Sequence, residues 1–260
     1  MGRGTEGKGA PRPRRVLLRI LLGVVLALAL GIAVYAGDYY RADESAAASL
    51  ERTIPGVRVD AGRDRIVFVP DGAREGLIFY PGGKVEFSAY APLMEELARE
   101  GILCVLVRMP LNLAVLDANA ANGIPEAYPE IETWAVGGHS LGGAMAAVYA
   151  AGHPEEVDAL VLLAAYSTAD LSGSGVRVLS VYGTEDGVMK RDRYEEYRAN
   201  LPADVTELII DGGCHAGFGS YGPQKGDGTP LISREEQQRI TAEAVRAFLT
   251  GRESASEYAA

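Results

Sequence analysis

The chain has 260 residues, 48% of them hydrophobic and 23% charged, so it holds one sizeable core plus a short extra segment. The net charge of -10 is uneven: residues 1–40 carry +4 and the remainder -14. An acidic body repels phosphate backbones and argues against a nucleic-acid partner, and no repeat of roughly 20–50 residues points to a solenoid or propeller.

A basic flank, residues 1–15, precedes a long apolar run. Residues 20–36 carry no charge, and extending the run back to Val16 adds only Arg19, whose stem reaches an interface. Residues 16–37 are therefore expected to form a single transmembrane anchor. The basic flank places the N-terminus in the cytoplasm and everything after the anchor outside the cell membrane. Two other readings share that destination. Val34-Tyr35-Ala36 offers small residues to a signal peptidase, which would release a secreted body, and Arg14-Arg15 resembles a twin-arginine export signal.

Residues 38–56 read as a polar stalk with a short helix over 41–53. The body, 57–250, alternates strands and helices. Extended pieces are expected at 57–59 and 65–69, then a strand at 77–80 running into Pro81-Gly82-Gly83. Leu93, Met94, Leu97 and Ala98 share one face of a helix over 90–100, which Gly101 ends. Residues 102–107 are apolar without alternation, as in a strand covered on both faces. Residues 112–133 read as helix with an irregular loop at 122–125. Strands follow at 133–136, 157–164, 176–182 and 206–210, with helices over 141–151 and 194–201. Ser233 and Glu236 form a capping box for a last helix that ends near Leu249. A polar tail covers 251–260. This alternation describes an α/β fold, a mostly parallel sheet with helices on both faces.

The chemistry is expected at the carboxyl ends of the strands. Gly138-His139-Ser140-Leu141-Gly142 fits G-x-S-x-G between a strand and a small-residue helix, a turn that exposes the Ser140 hydroxyl as a nucleophile. A hydroxyl needs a base. Of three histidines, His139 must point away from Ser140, and His153 lies in a surface turn before Pro154. His215, after the last strand, can reach back over Ser140. Asp186, after the strand at 176–182, is the expected partner of His215, with Asp211 as the runner-up. An oxyanion requires two backbone donors. One is expected from Leu141 and the other from Gly83 or Lys84, between which the sequence does not choose. The two cysteines, Cys104 and Cys214, are expected as free thiols. No Cys/His spacing suggests zinc, and Asp227 in Gly226-Asp227-Gly228 lacks the rest of a calcium loop and reads as a turn aspartate. Neither metal nor cofactor is expected.

These motifs resemble the α/β-hydrolase family over roughly Val57 to Leu249. The residues that carry the resemblance are Tyr80-Pro81-Gly82-Gly83, Gly138 to Gly143, Tyr182 to Gly187 and His215. The chain is similar to the small, lid-poor, dienelactone-hydrolase-like group. It departs from that group in having serine instead of cysteine at position 140, and Pro81-Gly82 instead of His-Gly in the oxyanion turn. The resemblance implies a serine hydrolase that cleaves a small-molecule or lipid-like carboxylic ester or thioester through an acyl-serine. A cell-envelope acyltransferase with the same triad and a non-catalytic tethered binding protein are the competing functions. The connection between the strands at 157–164 and 176–182 is too short for a helical lid. The pocket is then walled by residues 109–128 and by the glycine-rich segment 216–232, a candidate gate.

Overall fold

The computed structural model describes residues 13–251, which divide into two units at Asp38/Tyr39. The first is helix α1, Pro13–Gly37. Its stretch Leu17–Gly37 spans 21 residues at a mean hydropathy of 2.7. At 1.5 Å per residue that is about 31 Å, against a bilayer hydrocarbon core of about 30 Å. The helix is long and apolar enough to cross a membrane, and side chains such as Leu17, Leu22 and Leu30 are exposed along it. Most of the basic flank expected over 1–15 and all of the tail beyond Gly251 lie outside the described residues.

The second unit begins at Tyr39, so residues 39–56 belong to the folded domain and do not form a free stalk. Two features dock them. Tyr40 bridges to Val85 in parallel, and Asp43 caps helix α2, Glu44–Glu51, by accepting from the N–H groups of Ser45 and Ala46. Ala46 and Ser49 are buried on the docked side of α2.

Eight strands form one sheet: β1 (Val57–Ala61), β2 (Arg65–Pro70), β3 (Glu75–Tyr80), β4 (Ile102–Val107), β5 (Thr133–His139), β6 (Ala159–Leu163), β7 (Arg177–Gly183) and β8 (Thr206–Ile210). Their order is β1-β2-β4-β3-β5-β6-β7-β8. β1 and β2 run antiparallel to their neighbours, and all pairs from β4–β3 to β7–β8 are parallel. All six residues of β4 are buried, which explains its unbroken apolar run. Cys104 and Leu106 face one core with helices α3 (Ala91–Arg99) and α6 (Arg234–Thr250). Leu103 and Val105 face a second core with helix α4 (Leu141–Gly152).

Chain order reverses at β3. From β3 the chain goes to β4 on one side and returns as β5 on the other, so the crevice outside the carboxyl ends of β3 and β5 is a topological switch point, where ligands bind in such sheets. Tyr80 and Gly138 are register partners there. The turn after β3 and the turn after β5 therefore emerge side by side.

Two further expectations differ from the structure. Residues 112–133 form no α-helix, only short 3-10 turns at Ala114–Leu116 and Pro125–Ala127. Gly123 is left-handed (φ 74°), and Pro125 and Pro129 supply no backbone N–H to continue a helix. The buried Tyr80 hydroxyl holds this segment instead, donating to the Ala118 carbonyl and accepting from the Ala121 N–H, both at 2.9 Å. The helix expected at 194–201 starts earlier, as α5 (Arg191–Tyr197), and passes into a 3-10 turn. The first part of segment 216–232 packs into the domain. Residues Ala216 to Tyr221 are buried, and Gln237 brackets Cys214 with bonds to both its N–H and its carbonyl.

Candidate active site

Ser140 sits between β5 and α4 at φ 53°, ψ -121°, a conformation that costs a non-glycine residue of the order of 1–3 kcal/mol. The strain persists because the surrounding backbone allows nothing else. A Cβ on Gly142 would lie 2.2 Å from the Tyr80 carbonyl oxygen, and one on Gly138 would lie 2.6 Å from the Gly142 carbonyl carbon. The two glycines let the turn close against the end of β3. Ser140 also donates its N–H to the Leu163 carbonyl at 2.9 Å, which fixes the turn to β6.

Asp186 follows β7, and His215 lies in a 3-10 turn beyond β8. They meet through Asp186 Oδ2 and His215 Nδ1 at 2.9 Å, with both side chains fully or almost fully buried. The other carboxylate oxygen of Asp186 accepts from the N–H groups of Val188 (2.9 Å) and Met189 (2.8 Å). Burial pushes the Asp186 carboxyl up. The hydrogen bond and charge of His215, with the two N–H groups, outweigh it and hold the group below 3.8. An ionised Asp186 can only accept, so in the neutral ring Nδ1–H donates to it and Nε2 is left as the acceptor. Nε2 is buried and has no hydrogen-bond partner among the described residues. Asp211, the runner-up, is exposed and accepts from Thr184 at 3.5 Å instead.

Ser140 and His215 line one cavity of about 380 Å³. Leu141, Met145, Ala165, Val188 and Met189 make its wall largely apolar, with Lys190 at its edge. The 13 residues between β6 and β7 contain no helix, so no helical lid covers it from that side. In the turn after β3, the Lys84 N–H is bonded to the Asn112 carbonyl at 2.7 Å, and the Gly82 N–H to the Tyr90 hydroxyl at 3.0 Å. Gly83 lies between them, against the Leu141 side chain.

Behind the pair lies a buried layer the sequence did not reveal. The Tyr90 hydroxyl accepts from Gly82 and shares a hydrogen bond with His139 Nδ1 at 2.8 Å, and the His139 ring packs 4.5 Å from that of His215. Burial, then repulsion from His215, hold His139 well below its ordinary 6.5. It stays neutral in the folded protein, whereas the unfolded chain binds a proton below pH 6.5. Its stabilising contribution is therefore complete above 6.5 and is lost as pH falls below it, by up to about 1.4 kcal/mol per pH unit. His139→Gln keeps an acceptor for Tyr90 and removes the titration. Thermal melts across pH 7 to 5 are expected to fall less steeply for His139→Gln than for the wild type. Equal slopes would show that His139 carries no such linkage. His153, by contrast, caps α4, stacked on Tyr149 at 4.3 Å.

Cys104 and Cys214 are free. Burial and the neighbouring Asp227 push the Cys214 thiol up to about 11, which works against a thiolate at neutral pH. Among the described residues no group of three or more His, Cys, Asp or Glu is arranged to hold a metal.

No curated protein matches the chain in sequence. Its fold is similar to that of TT1662 from Thermus thermophilus, at a TM-score of 0.55 and 13% identity, covering 75% of this chain and 98% of that one. A predicted CIB-like hydrolase from Thermoplasma acidophilum aligns at a TM-score of 0.49 and 17% identity, over 73% and 97% of the two chains. The sequence profile of the Alpha/beta hydrolase family matches residues 76–239, a span that runs from β3 into α6 and takes in the strained serine turn, Asp186 and His215. That match covers well over half of the chain, and with its mostly parallel sheet the chain belongs to the alpha/beta hydrolase family.

Proposed function

We propose that this protein is a membrane-anchored, extracytoplasmic serine hydrolase that cleaves a carboxylic ester or thioester, in the manner of the small, lid-poor dienelactone-hydrolase-like group but with a serine nucleophile. One observation carries the reading. The buried Asp186–His215 pair leaves its unpartnered Nε2 beside the cavity that Ser140 lines. In this mechanism Ser140 Oγ attacks the substrate carbonyl carbon while His215 Nε2 takes the hydroxyl proton. Asp186 holds the imidazole in the correct tautomer and stabilises the imidazolium. The tetrahedral oxyanion is bound by the N–H groups of Leu141, at the N-terminus of α4, and of Gly83, since that of Lys84 is already bonded. Collapse expels the alcohol or thiol, which receives the proton from His215. Water, activated by the same imidazole, then hydrolyses the acyl-serine. The apolar wall suits an uncharged acyl chain, and no cofactor takes part.

Anchoring rests on the length and hydropathy of Leu17–Gly37, and orientation on the basic residues before it. The test is protease added to intact spheroplasts, followed by a salt wash of the membranes. The catalytic domain is expected to be digested from outside and, without protease, to stay with the membrane. Protection inside sealed cells would overturn the orientation.

A further inference from the structure

We infer that Asp227 is a positioning residue that holds the acid loop and the base loop in mutual register, an inference that rests on the hydrolase reading proposed above. As a turn aspartate in Gly226-Asp227-Gly228 it would bond only to its own turn. It does accept from the Gly228 N–H at 2.9 Å, but its other bonds are distant in sequence. Oδ1 also accepts from the N–H of His215 at 3.1 Å and of Gly187 at 3.2 Å, and Oδ2 accepts from the N–H of Ala216 at 2.8 Å. Gly187 directly follows Asp186. One carboxylate thus ties the backbone beside the acid to the backbone of the base itself.

The backbone around Asp227 is built for this contact. A Cβ on Gly228 would lie 2.0 Å from the Glu185 carbonyl oxygen, and one on Gly187 would lie 2.6 Å from the Gly226 carbonyl oxygen. The two turns meet backbone to backbone at a distance that side chains would forbid. Bonds from N–H groups to an ionised acceptor are about twice as strong as neutral ones, so the clamp is stiff where the Asp186–His215 bond needs alignment. Asp227 does not touch His215 Nε2 or the Ser140 cavity, and its effect on the reaction runs entirely through the placement of the other two.

The test is Asp227→Asn in the full-length chain. The amide keeps one acceptor oxygen but turns an NH2 group toward either Ala216 or the His215 and Gly187 pair, a donor facing a donor. Misplacing reacting groups by about 1 Å costs on the order of 100-fold. With a chromogenic ester, kcat is expected to fall roughly 10- to 100-fold, with KM within about twofold. Rates are normalised to sites counted by fluorophosphonate titration, so loss of folded protein does not register. The independent readout is the downfield proton resonance of His215 Nδ1, expected in the wild type and displaced or broadened in Asp227→Asn. Wild-type kcat per titrated site together with an unchanged resonance would overturn the inference while leaving the hydrolase reading intact. If the wild type shows no turnover that depends on Ser140, the hydrolase reading fails instead. The resonance then decides alone: displacement supports the clamp, and an unchanged signal rejects it.

Discussion

Ser140→Ala is expected to lower ester turnover by roughly 10⁴- to 10⁶-fold while leaving the fold unchanged, the largest effect of any single substitution proposed for this protein. The expectation follows from the local structure. Ser140 is only partly buried, and its strained backbone is set by close packing of Gly138 and Gly142 against the end of β3, not by the hydroxyl. Removing Oγ therefore takes away the nucleophile and little else. Alanine at φ 53° carries the same strain as serine, so the melting temperature should stay within a few degrees. Turnover that persists in purified Ser140→Ala near the wild-type level would move the reaction to another group.

Asp186→Asn is expected to cost about 10⁴-fold in kcat, because the amide donates to Nδ1 and leaves Nε2 protonated and unable to accept the Ser140 proton. Asp211→Asn is the matched control. Asp211 is exposed and bonds only weakly to Thr184, so its substitution should change kcat less than about twofold. The comparison is informative because both carboxylates end strands on the same edge of the sheet. Only Asp186 has its second oxygen fixed by two N–H groups, from Val188 and Met189. Steady-state kinetics of the two variants would decide between them, and the reverse ranking would transfer the carboxylate role to Asp211.

Much of this arrangement was legible in the sequence because it depends on local patterns. The apolar runs of β4 and β6, the helical spacing of Leu93, Met94 and Leu97 and the glycines around Ser140 each encode a structure that needs no distant partner. Ser140, Asp186 and His215 each lie beyond the carboxyl end of a parallel strand, β5, β7 and β8, the edge where the strand pattern alone leads chemistry to be expected. What escaped the sequence depends on tertiary contact. Residues 112–133 carry helical residue types, yet Tyr80, more than 30 residues away, claims the backbone of Ala118 and Ala121. Tyr40 and Asp43 look like spacer residues until Val85 and Arg234 are brought to them by the fold. The packing of the His139 ring against His215 has no signature beyond the variable position of the serine motif. Asp227 was visible as a residue but not as a hub, because its partners Gly187 and His215 are joined to it only in space. That the Lys84 N–H is bonded to the Asn112 carbonyl, the observation behind proposing Gly83 as the second donor, was likewise closed to the sequence.

Ser140 is proposed as an activated nucleophile, and covalent labelling tests that role most directly. Exposing the full-length protein to a fluorophosphonate and mapping the adduct by peptide mass spectrometry should give one modified residue, Ser140, at a rate that falls sharply in Asp186→Asn. An adduct on a different residue, or none on wild-type protein that is folded, would contradict the account.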